Sequence, residues 1–207
     1  MGSFGGKNGK NEQILSHNDV GPPSHGAAGP KITWFESCLY SYISMFTATD
    51  LPTDNKPRFY AELASQARAL LTDETDRIAN AANFAALAYQ ALPTINWAGF
   101  YFYNGQELVL GPFQGKPACV RIALNRGVCG AAASQRQTQV VADVHAFPGH
   151  IACDAASRSE VVVPLVLNGE LLGVWDVDSP EPGRFDDEDR QGMEALCAVF
   201  LESLGQR

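Results

Sequence analysis

Two dipeptides restrict the fold of this chain more than anything else in it. Asn104-Gly105 and Asn168-Gly169 each stand between two apolar-rich runs, and Asn-Gly in that setting signals a tight type I′ hairpin, in which both central residues take positive φ. The first joins a strand over 96–103 to one near 107–111, and the second joins 160–167 to 170–178. A hairpin makes its strands antiparallel, so two of them predict a mostly antiparallel sheet. Period-two alternation then sorts side chains by face. Trp97, Gly99, Tyr101 and Tyr103 share one side of the first strand, with Ala98, Phe100 and Phe102 on the other. In the last strand Asp176 and Asp178 share a face, opposite Trp175 and Val177.

Helical spacing frames these strands. Residues 59–71 and 78–92 read as two helices, with Thr72, Asp73 and Glu74 expected to cap the second. Residues 119–124 and Val140-Val141 supply further strands, and 127–135 a short helix of small residues. The run Asp186-Asp187-Glu188-Asp189 puts acids at the positive end of a last helix, along which Met193, Leu196, Cys197, Phe200 and Leu201 form the core stripe. The order predicts an α+β fold, with the N- and C-terminal helices packed on one face of the sheet.

At 207 residues, 45% hydrophobic and 18% charged, the chain has material for one domain and a remainder. Residues 58–207 read as the domain. Residues 1–57 read as a flexible tail, an aromatic extension and a linker; the first thirty hold seven Gly and three Pro. Trp34, Phe35, Leu39, Tyr40, Ile43 and Phe46 form a helical stripe, either laid on the domain or facing another subunit. The opening Met1-Gly2 resembles a myristoylation start, but Gly6 stands where Ser or Thr is needed. The apolar run 161–167 is too short to span a bilayer and is broken by Pro164, so no membrane partner is expected. With 15 Lys and Arg against 23 Asp and Glu the formal charge is −8, which disfavours nucleic acid. Five cysteines, an odd number without a CxxC pair, suit reduced thiols in the cytoplasm.

Three of those thiols, Cys119, Cys129 and Cys153, fall close together in the dense region. With His145 and His150 they form a conceivable ligand set, yet no pair has the spacing of a structural zinc site, and no metal is expected. Buried packing accounts for Cys197 and Cys38 on apolar stripes. Cys153 stands in a loop with Gly149 and His150, where reactivity is the better explanation. Asp176 and Asp178 repel one another on their shared face, so they are either a solvated edge or a pair that holds a ligand's ammonium group or shares a proton. Glu160 starts the partner strand and lies within reach of them, and Trp97 and Tyr101 are spaced to wall an apolar pocket.

Arg126-Gly127-Val128-Cys129-Gly130, the run from Phe147 through Gly149-His150-Ile151-Ala152-Cys153-Asp154-Ala155-Ala156-Ser157, and Asp176-Val177-Asp178-Ser179-Pro180 resemble the free methionine-(R)-sulfoxide reductases, small GAF-domain enzymes. The resemblance runs from about Arg58 to the C-terminus and includes Asn96-Trp97-Ala98-Gly99-Phe100-Tyr101 and Gly183-Arg184-Phe185. It implies a GAF-like fold and an oxidoreductase that reduces free L-methionine (R)-sulfoxide with thioredoxin as reductant and no bound cofactor, working as a homodimer. It further implies Cys153 as the nucleophile, Cys119 as the resolving thiol and Cys129 as the third member of the set. Glu160, Asp176 and Asp178 would then take the substrate's amino group and sulfoxide oxygen, and Trp97 and Tyr101 its methyl group. The alternative is a non-catalytic GAF sensor of a small molecule, since one fold hosts many functions.

Overall fold

The chain divides into two units, Met1–Met45 and Phe46–Arg207. A computed structural model describes residues 46–149 and 155–205 of the second. The glycine-rich start, the aromatic stretch as far as Met45 with Cys38, and the loop segment 150–154 with His150 and Cys153 lie outside the described residues.

Six strands form one sheet: β1 Trp97–Tyr103, β2 Glu107–Gly115, β3 Arg121–Ala123, β4 Gln139–Val141, β5 Ser159–Leu167 and β6 Glu170–Ser179. Their order is β3-β2-β1-β6-β5-β4, and every neighbouring pair is antiparallel. Both expected hairpins are present, but they turn differently. Asn168 and Gly169 take φ of 53° and 83° while Leu167 pairs with Glu170, as type I′ requires. At the other, Gly105 alone has positive φ. Asn104 accepts hydrogen bonds from the amides of Gln106 and Glu107, both at 2.9 Å, and this Asx turn lengthens the connection to three residues. β3 begins only at Arg121, so Cys119, expected on a strand, sits in the connection from β2.

Among the described residues the α-helices are α1 Lys56–Leu70, α2 Arg77–Ala91, α3 Gly127–Gln135 and α4 Asp187–Gly205. Asn55 caps α1 by accepting from the Arg58 amide at 2.9 Å, and Pro57 occupies its first turn, where a missing N–H costs nothing. Leu51 and Phe46 pack against the core, so part of the stretch read as linker is held on the domain. The cap of α2 is Asp76, which accepts from Ile78 and Ala79, and not Thr72. A cap must directly precede the first turn; Thr72 is too far upstream and instead donates its hydroxyl to the Arg68 carbonyl at the end of α1.

The sheet carries a core on each face. On one, α1, α2 and α4 cover Phe100, Trp175 and Val177, with Phe84 and Phe200 wedged between helices and sheet. The expected placement of the terminal helices on one face therefore holds. α1 and α4 meet where the Tyr60 ring lies against Gly192, so close that a Cβ there would overlap the ring carbons. The Tyr60 hydroxyl donates to buried Asp189 at 2.8 Å, which also takes Lys56 at 2.7 Å and Arg184 at 3.1 Å. On the opposite face the short α3 packs its Val128, Cys129, Ala132 and Ala133 with Tyr101, Val162 and Val174. At the sheet's margin β4 pairs only with Glu160, Val161 and Val162. The outer side of β5 beyond them, including Pro164, has no strand neighbour among the described residues.

Candidate active site

Register brings the acids and aromatics of three strands to one spot on the α3 face. Glu160 of β5 pairs with Asp178 of β6, Asp178 pairs in turn with Trp97 of β1, and Asp176 pairs with Gly99. The period-two argument thus places Asp176, Asp178, Trp97 and Tyr101 on a common face, and Glu160 lies across from Asp178 as expected. Gly99 is required by the aromatic wall. A Cβ there would run into the Trp97 ring and the Phe113 side chain. With hydrogen in that place, Trp97 stacks between Tyr101 and Phe113, with ring centroids 5.8 Å and 5.4 Å away, and its indole N–H donates to the Lys116 carbonyl at 3.1 Å.

α3 closes the pocket from above. Its first turn carries Gly127, with φ of 61°, then Val128 and Cys129. The Cys129 thiol donates to Asp176 Oδ2 at 3.3 Å and approaches Glu160 Oε1 at 3.9 Å. Cys129, Glu160 and Asp176 are 4%, 6% and 6% exposed, so all three hold their polar atoms away from bulk water. Ionisation is correspondingly disfavoured. Burial, and then the neighbouring acids Asp176 and Asp178, hold the Glu160 carboxyl well above the usual carboxylate range. Burial pushes Asp176 up to about 7, against the pull of hydrogen bonds from Cys129 and Glu160. Burial, reinforced by Asp176 and Glu160, lifts the Cys129 thiol well above its ordinary value. A helix N-terminus ordinarily favours a thiolate, but here desolvation and two acids outweigh it. Cys129 is accordingly a neutral thiol.

Among the described residues, Cys129, Glu160 and Asp176 are the one set of ligand-type atoms close enough to share a cation or a proton, all within 4.8 Å. With ionisation disfavoured at each of them, the cluster is suited to share protons. Asp176 Oδ1 is buried with no hydrogen-bond partner and can accept from a donor entering the pocket. The walls also include Lys116, Ala118, Arg126 and Ser157, which sequence reasoning did not single out as site residues. Arg126 is exposed and directly precedes α3, so its position before the Gly127-Val128-Cys129 string was the available signal. Ser157 Oγ accepts from Asn96 Nδ2 at 3.1 Å, tying the loop before β5 to β1. Cys119 is half-buried in the connection beside Ala118, packs against the α3-side core and is disulfide-bonded, whereas Cys129 and Cys197 are free thiols. Cys197 lies in the helical core as its stripe suggested. Cys153 lies outside the described residues.

A curled six-stranded antiparallel sheet with a pocket on one face under a short helix, and terminal helices on the other, defines a GAF domain, and the GAF domain family model matches residues 62–201. The free methionine-R-sulfoxide reductase of Escherichia coli is 56% identical over 150 residues, covering 72% of this chain and 91% of that protein. A crystal structure of a candidate GAF sensor protein from Burkholderia vietnamiensis is 70% identical with a TM-score of 0.71, covering 73% of this chain and 97% of that one. The free methionine-R-sulfoxide reductase of Neisseria meningitidis, solved in complex with its substrate, is 42% identical with a TM-score of 0.73, covering 76% and 95%. The chain belongs to the free methionine-R-sulfoxide reductase family.

Proposed function

We propose that this protein reduces free L-methionine (R)-sulfoxide to L-methionine through a cysteine sulfenic acid and an intramolecular disulfide that thioredoxin reopens. The observation that carries the reading is a neutral, proton-holding Cys129–Glu160–Asp176 cluster set against the Trp97–Tyr101 wall, in a family of sulfoxide reductases. A sulfoxide needs three things at once: a thiolate at sulfur, a proton for the departing oxygen, and a grip on the rest of the molecule. The aromatic wall suits the methyl group, and Asp176 Oδ1 with Asp178 suits the ammonium. Arg126, beside the N-terminus of α3, offers positive charge to the α-carboxylate. Glu160, kept protonated by burial and its neighbours, is the proton donor to the sulfoxide oxygen.

In the proposed cycle the Cys153 thiolate attacks the sulfoxide sulfur, the oxygen passes to Cys153 as a sulfenic acid, and methionine leaves. The Cys119 thiol then displaces water from the sulfenic acid to form the disulfide, and a dithiol restores both thiols while becoming a disulfide itself. Cys129, being neutral, is poorly suited to attack, which favours Cys153 for that role. The disulfide at Cys119 supports its part as the resolving thiol.

The test is thioredoxin-coupled NADPH consumption with each sulfoxide epimer. Turnover is expected with the free R epimer and not with the S epimer; Cys153→Ser should abolish it, and Cys119→Ser should release about one methionine per chain and stall. Activity surviving in Cys153→Ser would overturn the assignment of the nucleophile. A sensor reading has the description of the Burkholderia vietnamiensis relative in its favour. It predicts sulfoxide bound unchanged and no methionine released by the reduced protein.

A further inference from the structure

The proposed cycle uses two cysteines and leaves a third at the centre of the pocket. We infer that Cys129 stays a thiol throughout turnover and acts as a positioning residue, its S–H directed at Asp176 Oδ2 at 3.3 Å with Glu160 Oε1 at 3.9 Å, so that the two carboxyls keep one proton between them. The inference rests on the proposed reductase reading and assigns a residue that this reading leaves idle.

Three features of the site carry it. Cys129 is buried in the second core beside Val128 and Ala132, only 4% exposed, and a sulfur so covered is a poor target for the thiolate of a second protein. It remains a free thiol in the same structure in which Cys119 is disulfide-bonded, so the oxidised form of the protein does not consume it. Its sulfur is satisfied by acids and not by a cation, the opposite of the surroundings that activate a nucleophilic cysteine. Among the described residues, the ionisable groups around the cluster are Tyr101 of β1, Glu160 of β5, Asp176 and Asp178 of β6, Lys116 in the connection after β2, and Arg126 directly before α3. Lys116 and Arg126 are the cations among them, and both stand exposed at the rim, so neither neutralises the buried pair.

The placement explains how two adjacent carboxyls divide their work. With one donor fixed on Asp176 Oδ2, the shared proton rests on the Glu160 side, leaving Asp176 as the acceptor for an ammonium group. Without the thiol, Asp176 loses a bond that favours its ionised form and takes up a second proton more readily as pH falls.

The experiment compares Cys129→Ala with Cys129→Ser, beside Cys119→Ser and Cys153→Ser. In Cys129→Ala, kcat/KM should fall about tenfold, as expected for a lost hydrogen bond to a charged group, with the acidic limb of its pH profile moved to higher pH. Cys129→Ser, which keeps a donor, should return the limb toward its original position and sustain multiple turnovers. In wild-type protein treated with excess substrate and no reductant, then unfolded and alkylated, Cys129 should carry the label. An unmoved acidic limb in Cys129→Ala, a one-turnover stall in Cys129→Ser, or a Cys129 blocked from alkylation would each overturn the inference. Failure of the underlying reading looks different: Cys153→Ser would stay active, or no methionine would appear in any variant.

Discussion

Asp176 folds into a place where its charge is disfavoured, with burial raising its pKa from an ordinary 3.8 to about 7. The folded state therefore holds a proton that the unfolded chain gives up, and stability falls as pH rises between those values. The contribution is whole below about pH 4 and is lost as the pH passes about 7. Asp176→Asn should flatten that loss, melting at a higher temperature than the wild type at pH 8 while losing activity. A thermal scan at pH 5 and pH 8 checks it; an unchanged difference in melting temperature would show that Asp176 ionises freely in the fold. The pairing of Asp176 with Asp178 was legible in the sequence because a strand's side chains alternate strictly. Glu160 was legible as a neighbour because a hairpin fixes register. The approach of Cys129 to these acids was not, since it depends on where α3 lands across the sheet, and no local spacing encodes that.

Elements behaved as their local chemistry dictates, including where expectation and structure part. Asn168-Gly169 and Asn104-Gly105 are the same dipeptide, yet only the first gives two residues of positive φ. At the second, the Asn104 side chain binds two amides of its own turn, a choice the dipeptide alone does not encode. The cap falls at Asp76 and not at Thr72, Asp73 or Glu74 upstream, and only the helix start decides among them. Helix packing makes a sharper prediction. Gly192 of α4 lies under the Tyr60 ring of α1, so Gly192→Ala has no room and must push the helices apart. A loss of about 1–3 kcal/mol is expected, the usual cost of overpacking, despite alanine's better helix propensity. The same shift would strain the Tyr60–Asp189 bond, and denaturant unfolding of Gly192→Ala measures the combined effect. A stability equal to wild type would mean that α1 repacks freely on α4.

For the whole molecule, the pocket's composition sets which forms of the substrate can enter. Burying carboxyls is unfavourable unless an incoming donor repays the lost solvation, and the donor in a free amino acid is its ammonium group. N-acetylated methionine sulfoxide and peptide-bound methionine sulfoxide lack it and would bring the buried Asp176 oxygen only a neutral amide N–H. Their kcat/KM should be lower by about a hundredfold, the order expected when a charged donor's hydrogen bond to a buried acceptor is lost. Equal turnover of the blocked and free compounds would show that the acids do not read the amino group. Among the described residues no helix is long and apolar enough to cross a membrane.

The short β4 strand has an effect beyond the site it borders. Covering β5 only as far as Val162, it leaves the β5 backbone from Val163 onward with no strand neighbour on that side among the described residues, the kind of seam along which separate molecules zip together into aggregates. Pro164 interrupts that seam, because a proline cannot supply the amide that a recruited strand would bind. Its value is then colloidal: Pro164→Val should leave the catalytic pocket intact but scatter light on refolding at concentrations where the parent chain stays clear. The residue that broke the apolar run 161–167 in the sequence would then be what keeps copies of the folded sheet apart.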